Sequence, residues 1–214
     1  MKHLKRTLCL ILLGTIFFSL SVFAERTPQS LAAEELNKLS VMIGDGTDDL
    51  MLAKTVTRAE MAAIACRLLA LSNSAKDMKV TNAVFLDVLP EHWAAGYIKF
   101  AKDNGIVNGY PDGRFCPEQE VSYQEALKIL VAVIGYLPKT ESYGGYPTGI
   151  LAVASQIGLT QGVSFVGTDF ATRGNIAVLT QNSLDIPLLV QTGFGSFLEF
   201  QVDEKTTLRS QNFN

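Results

Sequence analysis

The chain aligns on itself, and that self-similarity constrains its fold more than any composition does. Placing Val41-Met42-Ile43-Gly44 over Ile106-Val107-Asn108-Gly109 sets an offset of 65 residues. The same offset puts Thr57 on Ser122, Glu60 on Glu125, Ile64 on Ile129, Leu68 on Val133 and Leu69 on Ile134. Independent positions rarely agree on one offset by chance, and a fixed period marks a repeat architecture. A third copy follows at 53 residues, with Ala101 on Ala154, Gly105 on Gly158 and Gly109 on Gly162. Its loop is three residues shorter, so Ser122 meets Thr172 at an offset of 50.

Each copy reads as helix, glycine-rich loop, helix. In the middle copy Trp93, Tyr97, Ile98 and Ala101 recur at helical spacing, and Asn104-Gly105 supplies a left-handed stop. The counterparts run from Leu31 to about Leu39 and from Thr148 to Ile157, with Tyr146 at the position of Trp93. The second helices open on caps. Thr57-Arg58-Ala59-Glu60 and Ser122-Tyr123-Gln124-Glu125 are capping boxes, in which hydroxyl and carboxylate satisfy two otherwise orphaned amides. Thr172-Arg173-Gly174-Asn175 keeps the cap and loses the carboxylate. Behind the caps run apolar stripes: Met61, Ile64, Ala65 and Leu68; Ala126, Ile129, Leu130 and Val133; Ile176, Leu179 and Leu184. A short helix pair cannot bury its stripe alone, so an all-α fold in which the copies share one core is expected. After Pro187 the helical pattern stops, and residues 197–202 alternate like a short strand.

The N-terminus reads as a secretory leader. Lys2, Lys5 and Arg6 precede an apolar run from Leu8 to Phe18, and Val22-Phe23-Ala24 offers a cleavage site. Cleavage after Ala24 is expected; retention as a membrane anchor is the alternative. Cleavage removes three basic and no acidic side chains, which moves the formal charge from −3 to −6. Such a balance excludes binding nucleic acid or anionic lipid through a bulk field. Cys66 falls in an apolar helical pattern and Cys116 in a loop. They read as free thiols, with a Cys66–Cys116 bridge as the alternative. Asp45, Asp48 and Asp49 miss the calcium-loop spacing, so no metal is expected.

The middle copy resembles an S-layer homology module. The resemblance rests on Phe85-x-Asp87-Val88, His92-Trp93-Ala94, Ile98, Ala101, Gly105-Ile106-Val107-Asn108-Gly109-Tyr110, Asp112-Gly113-x-Phe115-x-Pro117 and the Ser122–Glu125 cap. The first copy carries the family's Thr-Arg-Ala-Glu hallmark at Thr57–Glu60, and the third carries a degenerate form at Thr172–Asn175. Together the copies cover about residues 30–190. The division is a leader at 1–24, modules at 25–71, 83–136 and 143–190, and a tail at 191–214 that reads as the start of a cargo region cut short. The resemblance implies a pseudo-threefold all-α bundle that binds a secondary cell wall polymer, often pyruvylated, in grooves between modules. It implies an exported protein held non-covalently on the envelope, with no cofactor.

On this reading the ligand contacts are Arg58 and Arg173, with Tyr123 at the arginine position of the middle module. The first turn of a helix disfavours a cation by about 0.3–1 kcal/mol when exposed. Free amides and a guanidinium converging there make a carboxylate site. The alternative is a solvated arginine or one paired to a loop aspartate. If the arginines serve only the ligand, replacing both with alanine abolishes wall binding and leaves melting unchanged. Trp93 and Tyr146 either join the core or form a sugar platform. Thr57, Glu60, Ser122, Glu125 and Thr172 are expected to be structural caps, and Asp87 to cap or orient the first helix of its module. His92 is the only histidine beyond the leader, and no carboxylate pair stands apart from turns and caps, so no enzyme is expected. A protein–protein assembly module is the stronger rival; a wall-polysaccharide hydrolase is the weaker one.

Overall fold

A computed structural model describes residues 26–44, 49–194 and 198–213. The leader, Cys9, Asp45, Asp48 and Phe197 lie outside the described residues. The order of helices is α1 (Pro28–Lys38), α2 (Arg58–Leu68), α3 (Ser72–Lys76), α4 (Ala95–Asp103), α5 (Tyr123–Val133), α6 (Leu137–Thr140), α7 (Thr148–Gln156) and α8 (Arg173–Asp185). There follow β1 (Leu188–Gln191), β2 (Phe200–Asp203) and α9 (Leu208–Asn212). The protein is therefore mostly helical rather than purely so. Its tail is an antiparallel hairpin with Leu188 opposite Asp203 and Gln191 opposite Phe200.

Local signals set the helix ends. Thr57 Oγ1 accepts from the Glu60 amide at 3.2 Å while the Thr57 amide donates to Glu60 Oε2 at 2.9 Å. Thr172 accepts from the Asn175 amide at 3.4 Å, with no carboxylate to answer it. Gly135 ends α5 at φ +86°, which lets the Tyr136 amide reach back to the Val131 carbonyl at 2.9 Å. A Cβ there would also run into the Leu189 carbonyl of β1.

The principal partner of α4 is α2, that of α7 is α5, and that of α1 is α8. Each of these first helices thus leans on the capped helix of a different copy, and α1 closes the circle against the far end of the chain. This arrangement leaves α2 covered nearly all round, with Met61, Ala62, Ala63, Ile64, Ala65, Cys66 and Leu68 buried. Its run of alanines suits such an enclosed helix, because small side chains let neighbours approach. Cys66 and Cys116 are free, and burial pushes the Cys66 thiol up to about 12.

Backbone hydrogen bonds close the same circle. The Val56 amide donates to the Ala171 carbonyl at 3.1 Å, Ala171 to Val121 at 2.9 Å, and Val121 to Val56 at 2.9 Å. All three residues are fully buried. They are the residues that the offsets of 65 and 50 place in one column. Around this ring the opening amides of the capped helices are consumed in one pattern. Arg58 and Ala59 donate to Gln119 and Pro117, Tyr123 and Gln124 to Asp169 and Gly167, and Arg173 and Gly174 to Lys54 and Leu52.

The tail folds back on the domain. The Leu189 amide donates to Ile134 at 3.1 Å, and Leu208 of α9 is buried. Arg209 holds both Asp185 oxygens, at 2.6 and 2.9 Å, and reaches Glu35 of α1 at 2.7 Å. The hairpin begins before residue 190, so the expected tail boundary falls inside β1.

In the first copy Ala70 takes the left-handed position that Gly135 holds in the second, at φ 54°. A Cβ there costs about 1–2 kcal/mol, part of which glycine returns through its looser unfolded chain. Ala70→Gly is expected to raise stability by roughly 0.5–1 kcal/mol, or about 1–4 °C in melting temperature. Thermal unfolding followed by circular dichroism checks it, and an unchanged or lower midpoint would contradict the assignment of strain.

Candidate binding grooves

Arg58 is the first residue of α2, and its side chain crosses to the loop between α4 and α5. Nε donates to the Phe115 carbonyl at 2.8 Å, Nη2 to the Asn108 carbonyl at 3.2 Å, and Nη1 to Glu125 Oε1 at 2.9 Å. The guanidinium lies 4.7 Å from the ring centres of both Tyr110 and Phe115. It is neither solvated nor paired with a loop aspartate. Such a desolvated fork is stable because carbonyls, a carboxylate and two ring faces replace water. The free amides expected beside it are absent, since neighbouring loops consume them. Any anion here must be read by side chains.

Glu125 does more than cap. Oε2 accepts from the Ser122 amide at 2.9 Å and the Ser122 hydroxyl at 2.7 Å, as a capping role requires. Oε1 takes Arg58 and the Tyr110 hydroxyl, the latter at 3.0 Å. Burial pushes this carboxyl up, but the Ser122 hydrogen bonds and the Arg58 charge outweigh it and hold the group below its ordinary range. One turn along α5, Lys128 faces the same groove 5.7 Å from the Tyr146 ring centre. Burial, then the nearby Arg58 charge, lowers its pKa. Arg58, Asn108, Tyr110, Glu125, Lys128 and Tyr146 surround this first groove.

A second groove repeats the plan at the column positions. Arg173 Nε donates to the Leu50 carbonyl at 3.1 Å and Nη2 to the Ile43 carbonyl at 2.9 Å. Leu50 and Ile43 stand one 65-residue offset from Phe115 and Asn108. Glu60 takes the place of Glu125 and Trp93 that of Tyr146, with Arg67 closing the end. Trp93 is 55% exposed and Tyr146 48%, so neither is a core residue. Trp93 precedes α4 instead of lying within it, which carries its ring outward beside His92.

Tyr123 goes elsewhere. It is buried, stacks on Phe165 with ring centres 4.8 Å apart, and its hydroxyl accepts from Asn175 Nδ2 at 2.7 Å. A neutral tyrosine–asparagine pair thus stands where the first groove holds Arg58 and Glu125. Asp87 does not orient α4. Its carboxylate accepts from the Phe115 and Cys116 amides at 2.8 and 2.7 Å, tying the start of its module to the groove loop. Burial pushes that carboxyl up and the two amides more than reverse it.

The S-layer homology domain model matches residues 84–127. The chain carries an S-layer homology domain. The match contains Asn108, Tyr110 and Glu125 of the first groove, while Arg58 reaches in from outside it. Over 175 residues the chain is 31% identical to the middle cell wall protein of Brevibacillus brevis, covering 82% of this chain and 16% of that protein. It is 30% identical over 176 residues to a surface layer protein of Brevibacillus choshinensis, with 82% and 15% covered. A cellulosome-anchoring protein of Acetivibrio thermocellus is 33% identical over 86 residues, covering 40% of this chain and 19% of that protein. The chain therefore spans about a sixth of the length of the first two relatives. Among the described residues no helix is long and apolar enough to cross a membrane, and no acidic, histidine and cysteine cluster could hold a metal.

The geometry revises the expectation that an arginine-to-alanine change leaves melting untouched. Removing Arg58 strips Glu125 of its cation and leaves the Phe115 and Asn108 carbonyls short of a donor. Arg58→Ala is expected to cost about 2–3 kcal/mol and roughly 4–10 °C of melting temperature. Differential scanning calorimetry reads this directly; a midpoint within 1 °C of the unaltered protein would show the guanidinium to be idle.

Proposed function

We propose that this protein is a non-catalytic anchor of the cell envelope. It binds an acidic secondary cell wall polymer, a pyruvylated polysaccharide, in grooves between three S-layer homology modules arranged about a pseudo-threefold axis. The buried ring of Val56, Val121 and Ala171, and the three matching sets of consumed helix amides, support that arrangement. The S-layer homology domain and the cell-wall and surface-layer relatives place the protein at the envelope of an exporting cell. The leader reading of residues 1–24 agrees with this.

One observation carries the ligand class. Each of two grooves sets a half-exposed aromatic, Tyr146 or Trp93, beside an arginine and a second cation. An aromatic face packs against the C–H face of a sugar ring, and the cations answer an acid on it. A neutral polysaccharide would bring no charge to answer the cations that line both grooves. A metal-free wall hydrolase would need a general acid and base converging on a substrate. His92, paired with Glu118 at 3.0 Å, instead accepts from the Ala94 amide and opens α4.

Because Arg58 supports the fold, the aromatics give the cleaner test. Trp93→Ala combined with Tyr146→Ala is expected to abolish sedimentation with purified cell walls while shifting melting by no more than about 2 °C, since both rings are largely exposed. Extraction of the non-peptidoglycan polymer from the walls is expected to abolish binding of the unaltered protein. Binding that survives extraction would sink the anchor reading and favour protein–protein assembly.

A further inference from the structure

The two grooves share an arginine, a glutamate and an aromatic at matching column positions, and the second cation of each stands at a different one. Lys128 of the first groove stands over Ala63 in the second, and Arg67 of the second stands over Ala132 in the first. Arg67 lies in the last turn of α2, beside Trp93 and Arg173. Its guanidinium sits over the Tyr97 ring, 5.5 Å from the ring centre. Its Nε is buried and has no hydrogen-bond partner among the described residues. A buried charged donor left unpaired is expensive, and few native sites tolerate one without a role. By contrast the Nε atoms of Arg58 and Arg173 are spent on backbone carbonyls.

We propose that Arg67 is a ligand-contacting residue specific to the Trp93 groove, its Nε donating to an acid oxygen of the sugar stacked on Trp93. This rests on the anchoring function proposed above and adds to it that the two grooves recognise the acid differently. The first uses an ammonium on a flexible stem, which acts as a point charge. The second uses a planar fork held over Tyr97, which selects a carboxylate that can accept two parallel hydrogen bonds. The site around Tyr123, Asn175 and Phe165 contributes no cation of this kind, so two binding sites are expected per chain.

Isothermal titration of the full chain with the methyl glycoside of a pyruvyl-ketal hexosamine tests this. The unaltered protein is expected to show two sites, one of which Trp93→Ala removes. Arg67→Lys keeps the charge near Tyr97 and deletes the Nε donor. It is expected to weaken the Trp93 site by about 10- to 100-fold, the range of a lost charged hydrogen bond. The Tyr146 site and the melting temperature should be unchanged. Lys128→Ala should do the reverse, weakening only the Tyr146 site. If Arg67→Lys leaves both affinities intact, the inference is overturned while the anchoring function stands. If the unaltered protein takes up none of this glycoside, the ligand class proposed above is overturned and the role of Arg67 falls with it.

Discussion

Three backbone hydrogen bonds, from Val56 to Ala171, from Ala171 to Val121 and from Val121 to Val56, hold the rest of the structure in register. Each joins segments 50 to 115 residues apart in the chain. Each needs two distant segments to have met, the ring needs all three, and none of the bonds has water as an alternative partner once formed. A buried amide or carbonyl left unsatisfied costs about 1–3 kcal/mol, so the ring is closed or expensive. It sets the spacing between α2, α5 and α8, and the first helices pack into the gaps that this spacing leaves.

The grooves follow from that constraint. Because each capped helix starts at the ring, its first two amides meet the carbonyls of a neighbouring loop and are satisfied there. Its first side chain is carried across the same boundary. That is why Arg58 and Arg173 each find a pair of loop carbonyls at equivalent positions, and why the helix N-terminus cannot serve an anion here. Recognition passes to side chains on the rims: Lys128 and Tyr146 on one, Arg67 and Trp93 on the other. In the Tyr123 column the same geometry is kept with neutral groups, and Phe165 fills the space.

Local chemistry was the legible part. The capping box of Thr57 and Glu60, the left-handed stop at Gly105 and the extent of α7 each depend on residues within one or two turns, and the sequence pattern placed them; α1 begins at Pro28, three residues before the expected Leu31. What depended on distant partners was not legible. The stripes of α2 and α5 looked one-sided, yet α2 is covered nearly all round because helices of other copies lean on it. Trp93 fits the helical spacing of Tyr97 and Ile98, but the chain turns outward two residues before α4 begins. Glu125 was assigned to the cap because that is a local motif; its second oxygen answers an arginine 67 residues away. The offset columns did contain the missing signal: Arg58 with Glu125, and Tyr123 with Asn175, change together from charged to neutral. Lys128 and Arg67 break the columns, and no local rule marks them.

Native-state hydrogen exchange tests the ring most directly. If it is the joint on which the three parts depend, the amides of Val56, Val121 and Ala171 exchange only through global unfolding, with one common free energy that matches the slowest amides of α2. An Ala171 amide that exchanges through a separate, lower-energy opening, with α2 and α5 still protected, would show that the parts stand without the ring and would contradict the account.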